Sequence, residues 1–324
     1  MENQDHYLDE NDRMTWTLIN KQLKMIEVWI EDTSFISIFK DFQRSLIIRA
    51  YDRVGWTTNI NRTPAQKGLQ VELLQMACRL RYRDCTKQAL IKYNEWIRNK
   101  TRPSPELMGV VLDEGVRQGS QTAWEKALEG YLEAKNPTER YQLIGALAAT
   151  TDSALISRLL RLTLDGSTIR ANVLPRVLSA LSQNEIARAQ TWHFFRVHYH
   201  NFTKIAIYIF IFLTLIQIYE KIIVQLFLFT LDYSLGDGST LLISSIRSMV
   251  ERMSTEQDLK ELKAFLTDKK LQSNQPKLDQ IFEQIELNIQ WRRLNEESIK
   301  EWLEKWDDRR RSTYRIRRHS NRHL

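Results

Sequence analysis

Only two residues in the chain carry a thiol, Cys78 and Cys85, and they lie seven positions apart inside an apolar-periodic stretch. On one unbroken helix their Cα atoms would stand about 10.5 Å apart, at a rise of 1.5 Å per residue. A disulfide accepts at most about 7 Å. Two states are open: a pair of free thiols, or a chain that turns between them at Arg81-Tyr82-Arg83-Asp84. Two cysteines among 324 residues exclude a disulfide-dense scaffold and a structural Cys-rich zinc site.

The histidines offer less. His6, His193, His198, His200, His319 and His323 form no H-E-x-x-H pair. Within 193–200 (H-F-F-R-V-H-Y-H), helical spacing puts His193 and His200 on one face and His198 to the side. No acid lies in that run to complete a three-ligand site, so it reads as aromatic and histidine packing at a helix end. Nucleophile-elbow, Walker and dinucleotide motifs are all missing. The sequence therefore assigns no catalytic residue, no metal ligand and no cofactor, and it leaves substrate-binding residues unidentified. Three N-glycosylation triplets begin at Asn61, Asn99 and Asn201.

These groups must be positioned by helices. Phe35, Phe39, Phe42 and Leu46 repeat at helical spacing, as do Leu69, Leu73, Leu74 and Ala77. Residues 16–50 read as two amphipathic helices that separate near Glu31-Asp32-Thr33. Thr63-Pro64 starts another, with proline in its first turn, and Cys85 to Arg98 forms the next. Further helices are expected over 105–118, 121–134, 137–150, 152–164, 170–182, 185–200, 239–253, 255–267 and 275–305. Asn136-Pro137 reads as a capped start, and Asp165-Gly166-Ser167 as a turn. Most of the nine tryptophans fall at apolar helical positions and are expected to anchor packing. With 10 Gly, 6 Pro and no sustained alternation, the fold class is all-α. Antiparallel helix pairs of about 30–35 residues suggest a HEAT-like α-solenoid bowl.

The net charge is +7, and seven arginines with no acid fall within 309–324, so residues 1–308 are neutral. The basic balance belongs to a C-terminal tail that reads as a solvated helix end, and no nucleic-acid partner is expected. The start, Met1 to Asp12, is acidic and polar and lacks a signal-peptide pattern.

Residues 205–231 break the amphipathic pattern, being apolar all round. Ile205 to Tyr219 would make about 22 Å of helix, short of a bilayer core of about 30 Å. Extending to Leu231 places Glu220-Lys221 near the middle, where each charge costs about 2.5–3.5 kcal/mol. The run reads either as a transmembrane helix or as an apolar insertion.

One block orders these observations: Gly55-Trp56, then Gly68-Leu69-Gln70, Ala77-Cys78, Cys85, Ala89 and Trp96. It resembles the C-terminal helical domain of gluzincin zinc aminopeptidases, the aminopeptidase N and endoplasmic-reticulum aminopeptidase relatives. The similarity continues through Gly130-Tyr131, Glu139 and Leu143 to Ala148, Ile169-Arg170, Val177-Leu178 and Thr191 to Arg196. It resumes at Phe265 and closes with Asn288-Ile289-Gln290-Trp291 and Trp302-Leu303. It covers roughly 16–204 and 232–306, and the apolar run has no counterpart. It divides the chain into an acidic N-terminus (1–15), a helical domain in two parts (16–204 and 232–306), the intervening run (205–231) and a basic tail (307–324).

The resemblance implies a helical bowl that encloses peptides beside a separate zinc-bearing catalytic domain. In that family, zinc is the cofactor and removal of N-terminal residues the reaction. This sequence lacks the zinc motif and the G-A-M-E-N motif, so the domain is expected to be inactive alone. The alternative is a non-catalytic peptide- or protein-binding scaffold, tethered to a membrane through 205–231. The resemblance also implies a Cys78–Cys85 disulfide across a helix–helix turn, and a plasma-membrane or secretory location.

Overall fold

The structure, a computed structural model, describes residues 10–99, 101–204, 206, 238–268 and 275–320. Every regular element among them is helical. In chain order they are α1 (Arg13–Trp29), α2 (Ile36–Val54), α3 (Pro64–Arg79), α4 (Arg83–Asn99), α5 (Met108–Gln118), α6 (Gln121–Glu133), α7 (Pro137–Ala148) and α8 (Ser153–Asp165). A 3-10 turn (Ala171–Val173) leads into α9 (Leu174–Ser182), then α10 (Arg188–Val197), α11 (Gly238–Val250), α12 (Glu256–Asp268) and α13 (Gln275–Ser320). Apart from residue 206, the apolar run 205–231 lies outside the described residues.

The helix starts follow from local chemistry. Thr63 and Gln66 form a reciprocal capping box at the head of α3, with Pro64 in its first turn. Asn136 caps α7 by accepting from the Thr138 amide at 2.8 Å, again just before a proline. Asp152 accepts the Ala154 amide at 2.7 Å to start α8, which ends on left-handed Gly166 at φ 66°.

Two compact units emerge. The first comprises residues 1–114, 252–254 and 286–324. Here α3 packs against α1, α2 and α4. Trp16, Ile30, Phe39, Ile47, Leu73, Leu74 and Met76 form its dry centre. The later part of α13 supplies Trp291, whose ring centroid lies 4.3 Å from that of Trp29, and Trp302, 4.9 Å from Phe42. Polar groups cross this unit as well. Arg79, in the last turn of α3, pairs with Glu27 of α1 and donates to Gln43 of α2 at 3.1 Å. Gln43 in turn donates to Glu27 at 3.0 Å. A half-buried guanidinium thus joins three helices through charge-assisted bonds.

The second unit comprises residues 115–251 and 255–285. In it α6 packs on α7, and α9 touches α7, α8, α10 and α11. Trp124 is fully buried, donates its indole N–H to Leu147 O at 3.1 Å, and lies under the Arg158 guanidinium. Trp192, Phe195, Tyr199, Phe202 and Phe265 form an aromatic cluster of stacked and edge-on pairs.

Two expected helices differ in extent. The span 185–200 is not continuous, because α10 ends at Val197 and a turn at His198 precedes a further helical stretch over 199–204. The last helix runs past 305 to Ser320. There Asp307 is buried, and Arg310 bonds both Asp307 and Asp41 of α2, at 2.7 and 2.8 Å.

Candidate functional site

Cys78 closes α3 and Cys85 opens α4, so their geometry depends on the turn between them. The Arg81 amide donates to Cys78 O at 3.0 Å and the Tyr82 amide to Ala77 O at 2.9 Å. This is a Schellman closure with Arg81, at φ 60°, in the left-handed position that glycine usually fills. Strain of about 1 kcal/mol is the cost of a side chain there. The Arg81 guanidinium reaches the fully buried Glu114 at 3.4 Å. The reversal brings the two Cα atoms to 5.2 Å, and Cys78 and Cys85 are disulfide-bonded in the structure. Both are buried, so this pair links helices and is not presented to a ligand.

The sequon asparagines are all exposed, in different settings. Asn61 lies in the loop before α3, where its amide donates to Asn59 at 2.9 Å. Asn99 ends α4. Asn201 sits in the helical stretch after α10, next to the fully buried Phe202.

The three central histidines do not converge. His193 and His200 are exposed, while the His198 ring rests 4.3 Å from that of Phe194. No group of three His, Cys, Asp or Glu side chains among the described residues has metal-binding geometry. The residues present do not fit the zinc centre that the sequence resemblance places in a catalytic domain.

Two clefts remain. A smaller one, about 310 Å³, lies in the first unit beside Thr58, Ile60, Lys67, Gln70 and Glu106. Its charges are already matched, since Lys67 and Glu106 pair at 3.2 Å. Gln70 spends its amide on Gly55 O and Thr57 O, at 2.7 and 3.2 Å.

The larger cleft, about 560 Å³, lies in the second unit among α7, α9 and α11. Tyr141 forms one wall, Asn172, Arg176 and Ser179 a second, and Ser244 and Ser248 a third. Arg176 and Ser179 share a face at a spacing of three, and Ser244 and Ser248 at a spacing of four. The Arg176 guanidinium stands 5.6 Å from the centroid of the half-exposed Tyr141 ring. Tyr141, Arg176, Ser179, Ser244 and Ser248 belong to no motif of the sequence. They lie on the polar faces of amphipathic helices, and the pattern carries no sign that α9 and α11 are neighbours.

Residues 3–287 match the family model described as the ERAP1-like C-terminal domain. Among curated proteins, the chain is 22% identical over 304 residues to the thyrotropin-releasing hormone-degrading ectoenzyme of Rattus norvegicus, covering 92% of this chain and 26% of that protein. It is 24% identical over 268 residues to endoplasmic reticulum aminopeptidase 1 of Mus musculus, covering 82% of this chain and 26% of that one. Aminopeptidase Ey of Gallus gallus is 21% identical over 300 residues, with 90% and 28% covered. The chain thus spans about a quarter of the length of these relatives.

Proposed function

The chain belongs to the family of ERAP1-like C-terminal domains, and from that premise we propose that it is the peptide-enclosing module of a zinc aminopeptidase. The observation that carries this reading is the family match over 3–287, joined to relatives named as aminopeptidases. Peptide is the ligand, held by helical surfaces. Hydrolysis falls to a catalytic domain carrying a zinc-activated water, and no residue of this chain takes part in that step.

A secretory setting belongs to the same proposal. A disulfide persists in oxidising compartments, and the exposed Asn61 and Asn99 are accessible to glycan attachment. A membrane contact through 205–231 is supported by hydropathy alone, and flotation of the chain with vesicles tests it.

The peptide-binding reading is tested by titrating fluorophore-labelled peptides of graded length into the full chain and following anisotropy. Saturable binding with a length preference is expected. No binding at any length would refute it.

A further inference from the structure

We propose that the C-terminal end of α13 binds a sulfated polysaccharide through an arginine stripe formed by Arg311, Arg315 and Arg318 and continued by Arg322. The stripe goes beyond the peptide-binding reading, and only the choice of polyanion rests on the secretory setting proposed with it.

Helix register makes the stripe. Positions 311, 315 and 318 are spaced four and three apart on a helix that runs to Ser320, so they share one face over about 10 Å. Arg322 keeps the spacing in the sequence, four positions further on. Earlier in the same register stand Glu297, Lys300 and Glu304, a mixed face on which Lys300 pairs with Glu297 at 3.1 Å. No acid occurs in 309–324, so from 311 onward this face has one sign.

The base of the stripe is built into the fold. Leu303 and Asp307 are buried, and Arg310 bonds Asp41 of α2 at 2.8 Å. Arg311 is largely exposed and gives its Nε to Asp307 at 2.6 Å, one of the five N–H donors of a guanidinium. The charged turns therefore extend a packed helix. They also lie outside the matched family domain, which ends at residue 287.

A row of like charges suits a linear polyanion. After Lys305 every cation of the chain apart from histidine is an arginine, whose planar fork meets two oxygens of a tetrahedral oxyanion at once. A helix that inserts into lipid needs an apolar face. Within 309–324 the apolar residues are Tyr314, Ile316 and Leu324, and Tyr314 and Ile316, two apart, fall on different faces. Charge alone is thus offered. The Cys78–Cys85 disulfide favours an oxidising compartment, where the linear polyanions are sulfated polysaccharides and not nucleic acids.

The test uses the full chain and four labelled probes: a heparin oligosaccharide, the same oligosaccharide desulfated, single-stranded DNA of equal length, and vesicles of phosphatidylserine and phosphatidylcholine. Heparin is expected to bind about tenfold more tightly than any other probe. With four arginines and the coefficient of a single strand, its affinity should fall roughly fiftyfold between about 50 and 200 mM salt. Arg315→Gln with Arg318→Gln should weaken heparin binding about tenfold. Arg309→Gln with Arg317→Gln removes the same charge from the other side of the helix and should weaken it only about two- to threefold. Equal losses in the two double variants would overturn the stripe. Desulfated sugar, DNA or vesicles binding as tightly as heparin would overturn the sulfated ligand, and that comparison on wild-type protein needs no variant to fold. Heparin binding that stands while unreduced mass spectrometry finds free thiols would refute the secretory setting and uphold the stripe.

Discussion

The Tyr51 hydroxyl donates a 2.5 Å hydrogen bond to Asp84, one residue before Cys85, and accepts the indole N–H of Trp56 at 3.0 Å. The Gly55-Trp56 pair and the disulfide turn, separate in sequence, thus meet at one buried phenol. Burial first, then the bond to Asp84, pushes the Tyr51 pKa well above the ordinary tyrosine range. The neutral phenol is favoured in the folded state, so its stability contribution is full below about pH 10. It is lost as pH rises through the higher folded value. Tyr51→Phe should cost about 1–2 kcal/mol in urea unfolding at neutral pH, with the penalty shrinking in strong alkali. A neutral-pH cost near zero would show that the bond contributes nothing.

The buried disulfide closes a short loop, and chain-entropy arguments give about 2.5 kcal/mol for it. Replacing both Cys78 and Cys85 by Ala should lower the unfolding free energy by about that amount and leave the helical circular dichroism unchanged. Unreduced mass spectrometry that finds two free thiols in protein made in an oxidising compartment would remove the premise.

Glu125 pairs with Arg158, and the hydrogen bond from Arg158, ahead of burial acting the other way, holds the Glu125 pKa below the usual carboxylate value. A depressed carboxylate stabilises above the unfolded pKa of about 4.3, and the contribution disappears as pH falls through the folded value. Because the pair is partly exposed, Glu125→Gln should cost only about 0.5–1 kcal/mol at pH 7. Once the pH has fallen below that folded value, the variant and the wild type should unfold alike.

Lys24 behaves oppositely. Burial, then the neighbouring Arg79 charge, lowers its pKa, with Glu72 and Glu27 opposing. The charged form is therefore less favoured in the fold than in the unfolded chain. Lys24→Met should stabilise the protein at pH 7 by about 0.5–1 kcal/mol, and the gain should fade as pH rises towards about 10. Thermal melts across that window check both sign and slope.

Helix starts were legible because their signals are local. Thr63-Pro64 and Asn136-Pro137 carry their caps within a few residues, and both helices begin where those signals place them. The end of α13 was not legible. Its arginine-rich continuation looks like a solvated tail, while Arg310 is held by Asp41, 269 positions away in sequence. The larger cleft escaped for the same reason. Ser179 and Ser244 come together only because α9 packs on α11. At Cys78 and Cys85 the spacing alone left two states open. The decisive feature is the left-handed backbone at Arg81, which a non-glycine residue does not announce.

The proposed role is to hold peptide without cutting it. Incubating the purified chain with zinc and a labelled peptide, then following both anisotropy and release of the N-terminal residue, tests that claim directly. Saturable binding with the peptide recovered intact is expected. N-terminal residues released at a rate that stays with the purified chain and vanishes with chelator would contradict it.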